Sequence, residues 1–135
     1  MGHAVEASTM ATCDRRHVGA VAVLDKRILA VGFNGAPADA PHCDDVGHEF
    51  ININGRDSCI RAIHAEMNVV GQAAKFGVSI RNSSVYVNTF PCYNCFNCLV
   101  AAGVKEVFFK DDYPNALNQQ TVNLAKILNI PLNKL

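Results

Sequence analysis

His64-Ala65-Glu66 and Pro91-Cys92-Tyr93-Asn94-Cys95 are the two segments of this chain whose residue types could do chemistry together. Cys92 and Cys95 stand three apart, so in the first turn of a helix their sulfurs share one face. Free backbone N–H groups and the positive end of the helix dipole at such a terminus favour thiolates. His64 adds an imidazole. Three protein ligands leave a fourth tetrahedral position for water, the arrangement of a catalytic rather than a structural zinc. Zinc so held would bring the pKa of that water to about 7. Glu66, two residues from His64 at an open helix end, can stand beside the water without binding the metal. A carboxylate there can take a proton from water and return it to a substrate nitrogen and leaving group. A C-x-x-C pair alone reads equally as a redox couple. The H-A-E segment upstream tips it to hydrolysis.

Both segments need rigid elements to bring them together. Ala4 to Ala11 reads as a short helix. Val18 to Leu24 and Ile28 to Phe33 are apolar runs separated by Asp25, Lys26 and Arg27, which predicts a hairpin. Gly32-Phe33-Asn34-Gly35 ends the second run with residues that tolerate positive φ. From Ala36 to about Ile60 the chain is polar and irregular, a length that implies function or an external hold. Ala65, Val69, Ala73 and Phe76 then recur at helical spacing, with Gly77 as a stop. Ser84 to Asn88 predicts a buried strand, and Pro91 the first turn of a helix running to Ala102 before Gly103. Lys105 to Lys110 predicts another strand, Asn115 to Asn129 a helix and Ile130 to Leu135 a last strand. A hairpin followed by strand–helix alternation implies an α/β fold, a three-layer α/β/α sandwich around one mixed sheet of about five strands. No linker or repeat divides residues 1–135, so one domain is expected.

Composition narrows the partners. Twelve basic residues balance twelve acidic ones, which argues against nucleic acid or an anionic membrane held by bulk charge. No stretch approaches the ~18 apolar residues of a membrane span. Glu6 and Thr9 stand where a signal peptide needs an apolar run. A cytoplasmic location is therefore expected, where thiols stay reduced. The six cysteines then read as ligands, catalytic thiols or small core residues, and Cys98, one turn after Cys95, as core.

The H-x-E and P-C-x-x-C segments resemble the zinc deaminase signature, in which the glutamate is the acid/base and His/Cys/Cys hold the metal. Within that superfamily the chain resembles the deoxycytidylate (dCMP) deaminases along nearly its whole length. Thr12-Cys13, Val18 to Val21, Gly32 to Gly35, Pro41 to Cys43, Cys59 to Asn68 and Ala101 to Val107 carry the likeness. Phe33 stands where the family often has tyrosine. The resemblance implies a hydrolase that converts dCMP to dUMP and ammonia, supplying dUMP for thymidylate synthesis, with Glu66 delivering a proton to N3. It implies that the backbone N–H of Ala65 holds the pyrimidine O2, that Asn34 faces the sugar and that Tyr113 lies near the nucleotide. Asn34 and Tyr113 read equally as a turn residue and a strand-end aromatic.

Some members of that family carry a second, structural zinc. Cys13, Cys43, His48 and Cys59 would suit a closed tetrahedral site that also holds the polar loop, with His42 as the competing ligand. The 5′-phosphate needs cations, for which Arg15, Arg16, Lys26, Arg27, Arg61 and Lys75 are candidates. The resemblance further implies a homo-oligomer, often a hexamer, activated by dCTP and inhibited by dTTP with Mg2+. The competing readings are a deaminase of cytidine or of a tRNA adenosine, and a non-catalytic structural zinc module.

Overall fold

Residues 1–53 and 55–135 are described by the structure, a computed structural model. Helix α1 (Gly2–Ser8) leads into the hairpin of β1 (Gly19–Leu24) and β2 (Arg27–Phe33), and α2 (Cys43–Val46) precedes a second hairpin of β3 (Phe50–Ile53) and β4 (Arg56–Cys59). Then α3 (Ala65–Phe76), β5 (Ser84–Thr89), α4 (Tyr93–Ala101), β6 (Glu106–Asp111), α5 (Asn118–Leu128) and β7 (Leu132–Lys134) alternate. The main sheet has five strands in the order β2-β1-β5-β6-β7. Strand β1 is antiparallel to β2 and β5, while β5, β6 and β7 run parallel. The expected mixed five-stranded α/β fold is what forms.

One sheet face carries the core. Register pairs Ala20 with Val87 and Ala22 with Val85, and then Val85 with Val107 and Val87 with Phe109. Those side chains cluster with Val69 of α3, Phe96 and Leu99 of α4 and Ala125 of α5. Each fully buried Val, Leu or Phe stabilises the fold by roughly 1.5–3 kcal/mol. The opposite face is covered by α1, whose backbone lies so close to β1 that a Cβ at Gly19 would sit 2.1 Å from the Ala4 carbonyl oxygen. The third layer is thus a single short helix.

Several boundaries differ from expectation. Helix α1 ends at Ser8, and three i→i+3 bonds carry the winding on to Ala11. Asp25 and Lys26 alone form the first hairpin turn, both at positive φ (49° and 64°), the geometry that matches strand twist. Pro91 lies one residue ahead of the α4 N-cap, Cys92, rather than in the first turn. Helix α5 begins at Asn118, three residues later than expected. The stretch expected to be irregular contains α2 and the β3–β4 hairpin. Phe50 to Ile53 are all exposed, so no alternation of apolar and polar residues marked the strand. No described helix is long and apolar enough to cross a membrane.

Candidate active site

Because β1 runs against its neighbours, its start meets the ends of β2, β5 and β6 at one edge of the sheet. Ligand crevices of such sheets form outside the carboxyl ends of the parallel strands. Helices α3 and α4 both begin there, with His64 and Cys92 as their N-caps. Gly35 and Ile63 exchange backbone hydrogen bonds of 3.2 and 2.8 Å, which ties the residue before His64 to the chain leaving β2. Asn68 Nδ2 donates to the Phe33 carbonyl at 2.7 Å. A Cβ at Gly32 would lie 2.3 Å from the Ala65 carbonyl oxygen and 2.6 Å from the Val69 nitrogen. Only glycine lets β2 and the first turn of α3 approach this closely. The expected positive φ at Gly32, Asn34 and Gly35 is not what the segment uses, for none of them is in the left-handed region. Glycine is needed there for space.

His64 Nδ1 lies 3.6 Å from Cys92 Sγ and 3.3 Å from Cys95 Sγ. Nitrogen and sulfur on one tetrahedral zinc, bonded at about 2.1 and 2.3 Å, stand about 3.6 Å apart, so the three donors fit that ion. A hydrogen bond from Cys95, then the His64 imidazole, hold the Cys92 thiol down at about 4. The bond with Cys92 and burial push Cys95 far up in return, and the bond to Cys92 raises His64. A cation bound there would hold both sulfurs as thiolates. Glu66 is 3% exposed, and burial raises its carboxyl pKa against the opposing pull of His64. A carboxyl that holds its proton more tightly than usual is suited to donate as well as accept.

Asn34, His64, Ala65, Glu66, Cys92 and Tyr113 line one cavity, as do Cys13 and Cys59. Cys95 is fully buried and is not part of that lining, and Cys98 is half-buried rather than in the core. Of the six candidate cations, Arg15 and Arg16 reach the cavity. Lys26 and Arg27 sit at the first hairpin turn, Lys75 in the last turn of α3, and Arg61 is engaged with Gly47 and Glu49. Asn34 braces the wall: its Oδ1 accepts from the Val18 N–H at 2.7 Å and its Nδ2 donates to the Arg16 carbonyl at 2.8 Å. Sequence reasoning missed Val18, Thr89 and Phe90, which also line the cavity, although Thr89 and Phe90 directly precede the Pro-Cys segment. It also missed Arg56, whose Nη2 donates to Tyr113 Oη at 3.1 Å and whose Nη1 donates to the Pro114 carbonyl at 3.0 Å. The guanidinium carbons of Arg16 and Arg56 stand 4.8 and 5.4 Å from the Tyr113 ring centre, within cation–π range.

A second group gathers Cys13, Cys43, His48 and Cys59, with donor atoms all within 4.8 Å of one another. Cys43 Sγ and Cys59 Sγ are 3.6 Å apart, and Cys13 Sγ is 3.7 Å from His48 Nδ1. These spacings also fit one tetrahedral ion. His48 Nε2 contacts Asp14 Oδ1 at 2.9 Å, the carboxylate–imidazole contact that orients metal-binding histidines. Burial pushes the Cys43 thiol up to about 12. Burial would raise Cys59 too, yet the backbone of Glu49 and Arg61 and the His48 side chain bring it down to about 6. His42, the competing ligand, is instead engaged with Thr12 Oγ1 at 2.7 Å.

Fold and site together define the zinc-deaminase class of α/β proteins, with His-x-Glu and Pro-Cys-x-x-Cys on paired helix starts. Residues 1–111 match the family described as the cytidine and deoxycytidylate deaminase zinc-binding region. The chain belongs to this family, and zinc is its cofactor. It is 44% identical over 102 residues to ComE operon protein 2 of Bacillus subtilis, covering 76% of this chain and 52% of that protein. It is 32% identical over 117 residues to the deoxycytidylate deaminase of Mycobacterium phage D29, covering 81% of this chain and 89% of the relative. The chain thus spans about half the length of the Bacillus relative and most of the phage one. The crystal structure of the cyanophage S-TIM5 dCMP deaminase with dCMP and dUMP superposes with a TM-score of 0.81 at 27% identity, covering 99% of this chain and 92% of that one.

Proposed function

We propose that the chain hydrolyses dCMP to dUMP and ammonia. The observation that carries this reading is the buried Glu66 carboxyl in one cavity with His64 and Cys92, two of the three clustered donors His64, Cys92 and Cys95. The family membership and the phage relatives named for dCMP support the substrate. Zinc held by those three residues would supply a Lewis acid that makes water nucleophilic at neutral pH. Glu66 accepts the proton of the attacking water as its oxygen bonds to C4, and passes that proton to N3. When the C4–N4 bond breaks, Glu66 relays the remaining hydroxyl proton to the departing amine, so ammonia leaves and the ring becomes uracil. The backbone N–H of Ala65, in the helix turn that lacks intrahelical acceptors, holds the pyrimidine O2. Asn34 faces the sugar while bracing the Arg16–Val18 segment, and Tyr113 closes the wall. Arg15 and Arg16 bind the 5′-phosphate, since they are the candidate cations that reach the cavity.

Cys13, Cys43, His48 and Cys59 hold a second, structural zinc that fastens the chain between β2 and α3. The protein works as a homo-oligomer in the cytoplasm, activated by dCTP and inhibited by dTTP with Mg2+. The contact of Gly32 with the Ala65 carbonyl supports a route by which a nucleotide bound near the first hairpin acts on the first turn of α3. Ammonia release is measured from cytosine, cytidine, dCMP and dCTP, each with and without dTTP. Turnover of dCMP far above the others is expected, with dTTP lowering it. Preferential turnover of cytidine overturns the substrate, and a rate indifferent to dTTP overturns the regulation.

A further inference from the structure

Thr89 ends β5 on the core face, in line with Val85 and Val87. It reaches the sheet edge where the cavity opens and forms part of its lining. The residue is 6% exposed. Its Oγ1 has no hydrogen-bond partner among the described residues. Its neighbours do not share this state. Asn88, on the opposite face, accepts from the Gly19 N–H and donates to the His17 carbonyl. The backbone N–H of Phe90 is bonded to the Asp111 carbonyl. A buried hydroxyl left unpaired carries an uncompensated desolvation penalty, which a valine of similar shape does not. A group bound in the cavity that pairs with Oγ1 would remove that penalty.

Threonine has the means to change its hydrogen bonding. Rotation about Cα–Cβ exchanges the hydroxyl and methyl positions between staggered wells, so Oγ1 can turn toward a cavity-bound group that pairs with it. As a hydroxyl it both donates and accepts. It can therefore meet a ring carbonyl as well as an amine, and bond to substrate and product alike. Glu66, His64 and Cys92 line the same cavity as Arg15 and Arg16, so reacting groups and cations share it with Thr89. Thr89 adds an unpaired hydroxyl to a lining that includes the apolar Val18, Ala62, Ala65 and Phe90.

We propose that the Thr89 hydroxyl is a binding group for the pyrimidine nucleotide, unpaired in the free protein and hydrogen-bonded in the complex. This rests on the dCMP reading above. It makes two opposite predictions for one substitution. Thr89→Val should raise KM for dCMP about 5–10-fold, the equivalent of one hydrogen bond of roughly 1–1.4 kcal/mol, with kcat changed less. The same substitution should leave the melting temperature of the nucleotide-free protein equal to or above that of the wild type. Thr89→Ser should restore KM to within about twofold, because it keeps the hydroxyl.

Steady-state kinetics on dCMP, dUMP inhibition constants and thermal melts of the zinc-loaded proteins test this. An active wild type with an unchanged KM in Thr89→Val overturns the inference alone. So does a Thr89→Ser protein as impaired as Thr89→Val, which would make side-chain shape the cause. A lowered melting temperature in Thr89→Val overturns it as well, since the hydroxyl would then be bonded within the free fold. Thr89→Ala supplies a second hydroxyl-free variant, whose KM should rise as that of Thr89→Val does. A wild type inert toward dCMP overturns the substrate reading and this inference with it.

Discussion

The two cysteine–histidine groups are built from the same donors and differ in everything that surrounds them. His64, Cys92 and Cys95 come from two helix starts, number three, and have the buried Glu66 beside them. Cys13, Cys43, His48 and Cys59 come from connecting segments and from α2 and β4, number four, and have the exposed Asp14 behind the histidine. Three donors on rigid elements leave a coordination position for a reacting water; four donors close the shell. On the function proposed above, the first group holds chemistry in place and the second holds chain in place. Cys13 and Cys59 of the second group also border the cavity of Glu66, so the two groups share a wall.

The contrast is broken most severely at Glu66. Glu66→Gln removes the group that moves protons and keeps the shape of the side chain. A fall in kcat of about 10²–10⁴-fold is expected, the range general acid–base catalysis supplies, with zinc content unchanged. Ammonia release and metal analysis of the same sample decide it. An active Glu66→Gln protein would show that the first group is no more catalytic than the second. The next effect is on stability. Cys43→Ser, at a buried ligand of the four-donor group, should lower zinc from two per chain to one and destabilise the fold by more than about 4 kcal/mol. At temperatures where that variant remains folded, kcat should fall less than about tenfold. One zinc per chain in the wild type would remove the distinction altogether.

Legibility in the sequence follows the same division. The three-donor group could be read because Cys92 and Cys95 stand within one helical turn, where spacing in sequence is spacing in space, and His64 and Glu66 form a second short segment at another helix start. Strands β5 and β6 were equally plain as apolar runs, buried on the core face. The four-donor group spans Cys13 to Cys59 with no period, and only its residue types and the family resemblance pointed to a metal. Its choice of His48 over His42 depends on Thr12 capturing His42, a contact between segments thirty residues apart. Gly32 read as a turn residue because glycine does serve turns, yet its reason lies in the approach of α3. The β3–β4 hairpin left no trace because neither of its faces is buried. Arg56 reaches Tyr113 only because that hairpin exists.

Asp14 offers the finest test of the comparison. Its carboxylate contacts His48 Nε2 at 2.9 Å while Nδ1 faces Cys13, so it fixes the tautomer that presents Nδ1 to an ion. Loss of such a partner weakens metal binding by about 10–100-fold. Asp14 is largely solvent-exposed at 75%, and an exposed charge is screened, so Asp14→Asn should sit at or below about tenfold. Only one of the two zinc ions should become easier to remove. In a chelator titration the wild type should lose its ions in two steps, and Asp14→Asn should move the step belonging to the four-donor group while ammonia release before that step stays unchanged. If the substitution shifts both steps together, the two groups are coupled through Cys13 and Cys59, and the separation between fastening and catalysis gives way to one shared site.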